Sequence, residues 1–376
     1  MSVSYIPEKI KILLWGKAGG RCEYRGCNDC LYRDDLTKAE FNQSYIAHII
    51  ADKPEGPRGD SIKSELLKCD ISNLMLMCDV HHRLIDKVNV SGHTVELLTS
   101  MKMEHETRIE KVTDINQNMH SHILIYKANV GVHSPVLTYD SVKEFLLPTH
   151  YPASNTALDL SLSNSSQRDK DKLFWETEID NLVTQFNEQV RPKFRKGEIS
   201  HLSVFGFAPQ PLLIKLGTLL SDIQNAEIHQ PIRDPKTWRW QENGEDISYN
   251  IIEPDKKFSV VALNISLSGD IENVRIKNIL GDDCSIYTLR IEKPFNDFMK
   301  NKKYLQEFSI EMRKLFNQIK MNYSAQTNLH IFPAMPVSAA IELGRIWMSK
   351  ADMPLIIYDE NTTRGGFIKA LEIKNI

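Results

Sequence analysis

The stretch 45–86 decides the fold of the amino-terminal part of this chain. It contains the segments YIAHII (45–50) and ISNLMLMCDVHHRLID (71–86), and so carries His48, Asn73 and His82 in that order. Two short apolar segments followed by a polar, His-rich one predict two strands and then a helix. Asp86 comes four residues after His82, which puts both side chains on one face of that helix.

Cysteine and histidine spacing predicts a metal site next to this stretch. Cys22 and Cys27 form a C-x4-C pair after Gly-Gly-Arg, and Cys78 and His81 form a C-x2-H pair. Three thiolates and one imidazole suit a structural Zn²⁺. Such an ion would stabilise a small module that has little core of its own. Cys30 competes with these ligands, because it makes a C-x2-C pair with Cys27.

On these residues, the range 8–90 resembles the HNH endonuclease family of ββα-metal nucleases. The resemblance implies an α+β fold in which a structural zinc is held by Cys22, Cys27, Cys78 and His81. It favours Cys27 over Cys30, because the family commonly has C-x4-C after Gly-Gly-Arg. Two other interpretations remain open: a zinc module without catalysis, and core thiols that bind no metal. His81 and His82 could also exchange roles.

The resemblance implies roles for the remaining polar residues. His48 would activate water as the general base, Asn73 would orient the site, and His82 would bind a catalytic Mg²⁺ or other divalent ion. Phosphodiester hydrolysis needs such a base and such a cation. The chain departs from the family at Ala47, where many members have an acidic metal ligand. Further ligands must therefore come from water, the phosphate or nearby carboxylates, for which we consider Asp52, Asp60 and Asp86.

Composition narrows the class of protein. The 376-residue chain is 41% hydrophobic and 25% charged with a net charge of −3, which is typical of a globular protein rather than a strongly basic nucleic-acid binder. The absence of a long apolar run and of a leader-like segment predicts a cytoplasmic protein without a membrane partner. Residues 1–110 contain 15 Lys and Arg against 17 Asp and Glu. We therefore expect weak DNA binding by a monomer, and either an active homo-oligomer or another event that assembles the DNA site.

A diverged repeat predicts the architecture of the carboxyl-terminal part. Its two copies are SVFGFAPQPLLIKLG (203–217) and HIFPAMPVSAAIELG (330–344), which match at Phe, Pro, Ile, Leu and Gly positions without a gap. Each copy predicts a strand, a tight loop and a helix. With the strands around them, they predict an α/β domain of two fused Rossmann-like units over 171–376. Residues 1–112 would form the nuclease domain and 113–170 a connector.

The two loops of the repeat predict where a ligand binds. In open α/β sheets, ligands bind beyond the carboxyl ends of the strands, where helix N-termini attract phosphate. As ligand-binding candidates in this region we select Gln210, Lys215, Trp240, Pro336 and Tyr358. The region resembles the SAVED domain, a fusion of two CARF-like units that senses cyclic oligonucleotides.

The order of the two parts resembles the HNH–SAVED effector nucleases of cyclic-oligonucleotide antiphage signalling (CBASS). This resemblance implies that a cyclic di- or trinucleotide binds the second part, drives oligomerisation and licenses degradation of double-stranded DNA. One alternative is a restriction-type enzyme whose carboxyl-terminal domain recognises modified DNA. Another is a zinc-stabilised sensor scaffold with no enzymatic activity.

Overall fold

The computed structural model describes residues 5–374, apart from 163–164, 172, 223, 243, 245–246, 325 and 362–364. The chain divides into unit 1 (Met1–Gln117) and unit 2 (Asn118–Ile376). Among the described residues, no helix combines the length and the apolar composition that a membrane crossing requires.

Unit 1 is built around a pair of short strands and a following helix. Its elements are α1 (Glu8–Ala18), β1 (Tyr45–His48), α2 (Lys63–Leu67), β2 (Leu74–Met77), α3 (Asp79–Arg83) and α4 (Val95–Thr113). β1 and β2 pair antiparallel, with Tyr45 opposite Met77 and His48 opposite Leu74. α3 continues as a π-helical turn over Leu84–Val88. The order β1, β2, α3 is thus a ββα arrangement, as the spacing of the polar residues predicts.

A small apolar core supports this arrangement. All four residues of β2 are buried, so this strand lies between other elements rather than at the surface. Leu14 of α1 and Leu98 of α4 are fully buried in the same cluster. α4 starts at Thr94, whose hydroxyl accepts a hydrogen bond from the amide of Leu97, as N-cap residues do.

Unit 2 alternates strands and helices along the chain. Its first elements are β3 (His120–Lys127), α5 (Tyr139–Val142), β4 (Tyr151–Pro152), β5 (Leu158–Asp159), α6 (Phe174–Gln185), α7 (Arg191–Arg195), β6 (Leu202–Phe207), α8 (Gln210–Leu220) and β7 (Ala226–Ile228). They are followed by β8 (Asn250–Ile252), β9 (Val260–Ser266), α9 (Asn273–Leu280), β10 (Cys284–Arg290), α10 (Lys302–Asn322), β11 (Leu329–Ala334), α11 (Val337–Ile346), β12 (Leu355–Asn361) and β13 (Gly366–Ile373).

These strands form two sheets. The first has the order β4-β3-β6-β7 with β5 also beside β3, and all of its pairs are parallel. The second has the order β13-β12-β11-β9-β10-β8, in which only the two edge strands are antiparallel. Unit 2 is therefore an α/β fold with two sheets, one of them mixed, and the repeat supplies β6 with α8 to one sheet and β11 with α11 to the other.

The region that we predicted to be a connector, 113–170, differs from that prediction. β3 lies inside the first sheet, parallel to β6, and its residues from Ile123 to Tyr126 are buried. The strand was recognisable in the sequence, but its pairing partner is far along the chain. The boundary between the units consequently falls after Gln117.

The two copies of the repeat meet at their matched glycines. A Cβ atom on Gly217 of α8 would lie 2.0 Å from the backbone oxygen of Ile341 in α11. A Cβ atom on Gly344 would lie 2.0 Å from the backbone oxygen of Ile214. The helices therefore touch backbone to backbone, which explains why both copies end in glycine.

Candidate functional site

Four side chains in unit 1 converge on one point, and we call them the four-ligand cluster: Cys22, Cys27, Cys78 and His81. Their donor atoms all lie within 4.8 Å of one another. The Nδ1 atom of His81 is 3.1 Å from the Sγ atom of Cys78 and 3.7 Å from that of Cys22. Cys78 precedes α3 and His81 lies in its first turns, whereas the other two cysteines come from the loop after α1.

The donor set of the four-ligand cluster fits a zinc ion. Three sulfurs and one imidazole nitrogen are a common structural zinc set. Burial raises the pKa of Cys22 to about 11, so this thiol needs a nearby cation before it becomes a thiolate. The ring of Tyr24 stacks on that of His81 at 4.1 Å and holds it in place. Within the described part of the chain, Cys30 does not join the cluster.

His48 ends β1 and is only 6% exposed. Its Nε2 atom lies 2.9 Å from the backbone oxygen of Lys68. A carbonyl oxygen can only accept, so Nε2 carries the proton and Nδ1 keeps its lone pair. In the neutral ring, Nδ1 is therefore the nitrogen that can accept a proton as a general base.

Asn73 holds the chain directly after His48. Its Oδ1 atom accepts from the amide of Ile50, and its Nδ2 atom donates to the backbone oxygen of the same residue, both at 2.8 Å. The backbone oxygen of Asn73 accepts from the amide of Ile49. Asn73 is 3% exposed, so it positions the strand end that carries His48 and does not offer its amide to a substrate.

His82 and Asp86 form a second group of donor atoms. The Nε2 atom of His82 lies 3.3 Å from the Oδ2 atom of Asp86. The ring of Tyr45, on β1, stacks on that of His82 at 5.1 Å. Burial lowers the pKa of His82, although Asp86 opposes the shift, and a neutral imidazole is the form that binds a cation.

Arg58 connects these groups, and the sequence did not single it out for this role. Its guanidinium donates to the backbone oxygens of Ile49, Ile85 and, at 3.2 Å, His48. It also binds the Oδ1 atom of Asp86 at 2.7 Å, and its side chain is 6% exposed. Arg58 thereby ties the end of β1 to the helix that carries His82. One sequence signal was an arginine inside an otherwise turn-forming Pro/Gly loop.

His48 and the His82–Asp86 pair share one pocket of about 210 Å³. Its walls are formed by Ile46, His48, Ala51, Asp52, Pro57, His82, Asp86 and Lys87. Among the carboxylates that we considered as further ligands, Asp52 and Asp86 line this pocket. Asp60 is used elsewhere, because its Oδ1 atom accepts from the amides of Ile62 and Lys63 at the start of α2.

In unit 2 the loops of the two repeats are joined by a predicted ligand residue. The Oε1 atom of Gln210 accepts a hydrogen bond from the amide of Met335, beside Pro336 at the start of α11. The amide of Ser338, in the first turn of α11, is not free for a phosphate, because it already donates to the Oε1 atom of Gln230 at 2.9 Å. Gln230 is 4% exposed and was not anticipated, because its position follows from the fold.

The other predicted ligand residues of unit 2 lie in different surroundings. Lys215 is half-buried on α8, and burial lowers its pKa. Trp240 packs against the main core, and its Nε1 atom has no hydrogen-bond partner among the described residues. Tyr358 is 7% exposed and stacks on Phe332 at 4.4 Å. Tyr358 is buried in an apolar cluster, whereas Trp240 is only partly buried, so the assignment of both to a ligand site stays a prediction.

Comparison with solved structures returned Cap4 SAVED/CARF-domain containing receptors at low sequence identity. The Cap4 SAVED/CARF-domain containing receptor of Acinetobacter baumannii with the cyclic trinucleotide 3'3'3'-cAAA is 15% identical at a TM-score of 0.44 and covers 84% of this chain and 68% of that one. The same receptor with the cyclic trinucleotide 2'3'3'-cAAA is 15% identical at a TM-score of 0.43, and the match covers 77% of this chain and 61% of that one. The Cap4 SAVED/CARF-domain containing receptor of Moraxella osloensis is 14% identical at a TM-score of 0.40, and the match covers 75% of this chain and 61% of that one.

The chain thus spans about two thirds or less of the length of these receptors. A search of curated proteins returned no match. The profile of the SMODS-associated and fused to various effectors sensor domain, SAVED, matches residues 182–373, which is just over half of the chain. The chain therefore belongs to the SAVED family of sensor domains.

Proposed function

We propose that this protein is a metal-dependent endonuclease that cleaves double-stranded DNA after its SAVED region binds a cyclic di- or trinucleotide. The observation that carries the nuclease part is the shared pocket of unit 1. One wall presents His48 in the tautomer of a base, and the same pocket presents the His82–Asp86 pair. A base and a cation-binding group at one pocket are what phosphodiester hydrolysis needs.

The residues of this chain would divide the work as follows. The Nδ1 atom of His48 takes a proton from the attacking water, while the backbone oxygen of Lys68 holds the other ring nitrogen. Asn73 keeps the strand end in place, and Arg58 fixes Asp86 by one carboxylate oxygen. The second oxygen of Asp86 remains directed at His82.

Two kinds of ion fit these donors. The four-ligand cluster would hold Zn²⁺, which would join the loop after α1 to the start of α3. His82 and Asp86 would hold Mg²⁺ or another divalent ion, which supplies positive charge near the phosphate and the leaving oxygen when bound. Asp52 lines the same pocket as these two residues.

Membership of the SAVED family supports the regulatory part of the proposal, because that family is defined as a sensor domain fused to effectors. Gln210 already links the two repeat loops, so a ligand held there would contact both halves at once. The near balance of charge in residues 1–110 favours activation by homo-oligomerisation, since several weak DNA contacts then act together. The setting would be antiphage defence in a bacterial cytoplasm.

Supercoiled plasmid provides the test. Wild-type protein is incubated with plasmid, Mg²⁺ or Mn²⁺, and a panel of cyclic di- and trinucleotides. We expect cleavage with one ligand class only, and a rate at least about 10³-fold lower for His48→Ala, in line with the loss of a general base. His133→Ala, at an exposed position outside the pocket, should cleave like wild type.

Two outcomes would reject the proposal. If plasmid stays intact with every ligand and metal, the chain is not a gated nuclease. If His48→Ala cleaves at the wild-type rate, His48 is not the base. Zinc content of His48→Ala that matches that of wild type shows that unit 1 is folded, and matching ligand binding, measured calorimetrically, shows the same for unit 2.

A further inference from the structure

A second group of metal-binding side chains lies in unit 2, far along the chain from the nuclease-type pocket. We call it the three-ligand cluster: His150, His201 and Glu227. Their donor atoms lie within 4.8 Å of one another. His201 directly precedes β6, Glu227 lies in the neighbouring strand β7, and His150 directly precedes β4. No spacing in the sequence indicates this group, because its residues come from three separate segments.

Strand pairing brings two of these residues to one face of the first sheet. Glu227 pairs with Ser203 in the parallel β6–β7 ladder. Side chains two residues apart on a strand share a face, so His201 and Ser203 point the same way. The pairing of β6 with β7 therefore places Glu227 and His201 side by side on one face of the sheet.

A hydrogen-bonded chain holds the His201 ring. Its Nδ1 atom lies 2.8 Å from the Oγ atom of Ser121, which lies 2.9 Å from the Oγ atom of Ser203. When Ser121 donates to Ser203, its oxygen accepts the Nδ1 proton of His201. The Nε2 atom then keeps a lone pair, and metal-binding histidines use this arrangement, in which the second ring nitrogen donates to a protein oxygen. His201 is 9% exposed, so the ring is fixed before any ion arrives.

His150 supplies the adjustable side of the cluster. Its ring lies parallel to that of His201, with the ring centres 4.0 Å apart and 10° between the planes. Stacked rings present their nitrogens side by side, so the half-buried ring of His150 must turn for both lone pairs to converge. Its nearest polar contact, Oγ1 of Thr149 at 3.3 Å, is long and does not oppose that rotation strongly.

A lysine competes with an ion for the carboxylate. The Nζ atom of Lys302, at the start of α10, lies 2.6 Å from the Oε1 atom of Glu227. The side chain of Lys302 is 51% exposed, and that of Glu227 is 16% exposed. One carboxylate oxygen is thus engaged by a mobile cation, and the other is available to a metal.

We propose that His150, His201 and Glu227 bind a Zn²⁺-class divalent ion in the sensor unit. Two imidazoles and a carboxylate favour such ions over Mg²⁺ and Ca²⁺, which prefer oxygen ligands alone. The site joins the segment before β4 to the edge of the first sheet. With three protein ligands it keeps a position open for water or for a donor from a partner. The proposal does not depend on the nuclease function.

Metal content of the full-length protein tests this site. Protein dialysed against metal-free buffer is titrated with Zn²⁺, and bound zinc is measured by inductively coupled plasma mass spectrometry. We expect His150→Ala and Glu227→Gln each to bind one zinc equivalent fewer than wild type, because the ions in unit 1 are common to all variants. His133→Ala, outside the cluster, should bind as many equivalents as wild type.

Lys302→Met should strengthen zinc binding, in contrast to His150→Ala and Glu227→Gln. Without the competing ammonium group, the three-ligand cluster should bind zinc about 2- to 5-fold more tightly, which is the range that loss of an exposed ion pair supports. If the Glu227–Lys302 ion pair has only a structural role, Glu227→Gln and Lys302→Met should both lower the stability of the protein and leave zinc binding unchanged.

Cobalt substitution separates the two clusters spectroscopically. Co²⁺ bound by nitrogen and oxygen gives visible bands without the near-ultraviolet thiolate charge-transfer band of the four-ligand cluster. The wild-type minus His150→Ala difference spectrum should therefore contain visible bands alone. Equal zinc stoichiometry in wild type, His150→Ala and Glu227→Gln would overturn the proposal, and His150 is exposed enough for its variant to fold if the Glu227 variant does not.

Discussion

Unit 1 and unit 2 are stabilised in different ways. Unit 1 gathers a small apolar core around short strands, and its four-ligand cluster brings together the loop after α1 and the start of α3. Unit 2 has a continuous apolar core that runs through both of its sheets and includes the packed helices α8 and α11. We therefore expect unit 1 to need bound metal to fold, whereas the main framework of unit 2 depends on close packing.

The largest effect that separates the units should come from Cys78→Ser. Loss of one thiolate removes the zinc, and structural zinc binding is worth about 10–16 kcal/mol in zinc-finger peptides, which exceeds the stability of most small domains. We expect unit 1 to unfold, with DNA cleavage lost, while the thermal transition of unit 2 stays in place. Calorimetry and zinc content measure both.

Cys30→Ser is the matched control for this prediction. Cys30 is buried but lies outside the four-ligand cluster, so its variant should keep the zinc and the unit 1 transition. Zinc loss in Cys30→Ser with zinc retained in Cys27→Ser would show that the ligand set is different from the one we propose.

A smaller effect, confined to unit 2, is expected for Gly217→Ala. The added Cβ would meet the backbone oxygen of Ile341, which cannot move as a flexible side chain can. We expect a loss of about 3 kcal/mol from overpacking, measured by urea denaturation. Gly269→Ala is the control, because open space surrounds that position. Equal midpoints for the two variants would contradict the close contact of the helices.

The next effect falls on activity. Arg58→Met removes the contacts that hold Asp86 and the end of β1, so the pocket keeps its residues but loses their alignment. We expect about a 10- to 100-fold drop in cleavage rate, as for other groups that orient metal ligands, with zinc content unchanged. Arg83→Met, which removes only an exposed pair with Asp79, should cleave normally. A reduced zinc content would instead assign Arg58 a purely structural role.

The smallest effect is a pH dependence in unit 2. Glu178 is 1% exposed, its Oε2 atom has no partner among the residues that the structure describes, and burial raises its pKa to about 7. The folded state then binds a proton that the unfolded state releases above about pH 4.5. Stability should therefore fall as the pH rises from 4.5 to 7 and stay low above it.

Glu178→Gln removes this penalty. We expect the variant to be about 1 kcal/mol more stable than wild type at pH 8, after allowance for solvent screening, with no gain at pH 5. Urea midpoints at the two pH values measure the difference. Glu176→Gln, at an exposed position on the same helix, should show no such change. A gain at both pH values would point to a cause other than ionisation.

The sequence predicted unit 1 better than the ligand site of unit 2 for a physical reason. Metal ligands must be of a few residue types, so spacing, together with the family resemblance that favoured Cys27 over Cys30, predicted Cys22, Cys27, Cys78 and His81, which the structure places together. Hydrogen bonds from Arg58 leave no such spacing, because the acceptors are backbone oxygens of any residue.

In unit 2, the sequence predicted the repeat and the α/β elements but not the surroundings of individual aromatic residues. Trp240 and Tyr358 are as suitable for stacking on a base as for filling a core, and the sequence does not show that Tyr358 is buried whereas Trp240 is only partly buried. The place of β3 in the first sheet was missed for a related reason, since its parallel partner β6 follows more than seventy residues later in the chain. The periodicity of apolar residues within a strand does not show which distant strand it pairs with.

The contact between Gly217 and Gly344 also limits how this sensor can be altered. Neither helix can gain a side chain at the crossing unless its counterpart retreats, so the two halves must change together or not at all. A chimaera that takes one half from a relative therefore requires a donor with glycine at the same crossing. The two halves can diverge in sequence elsewhere, but at this crossing a substitution in one half requires a compensating change in the other.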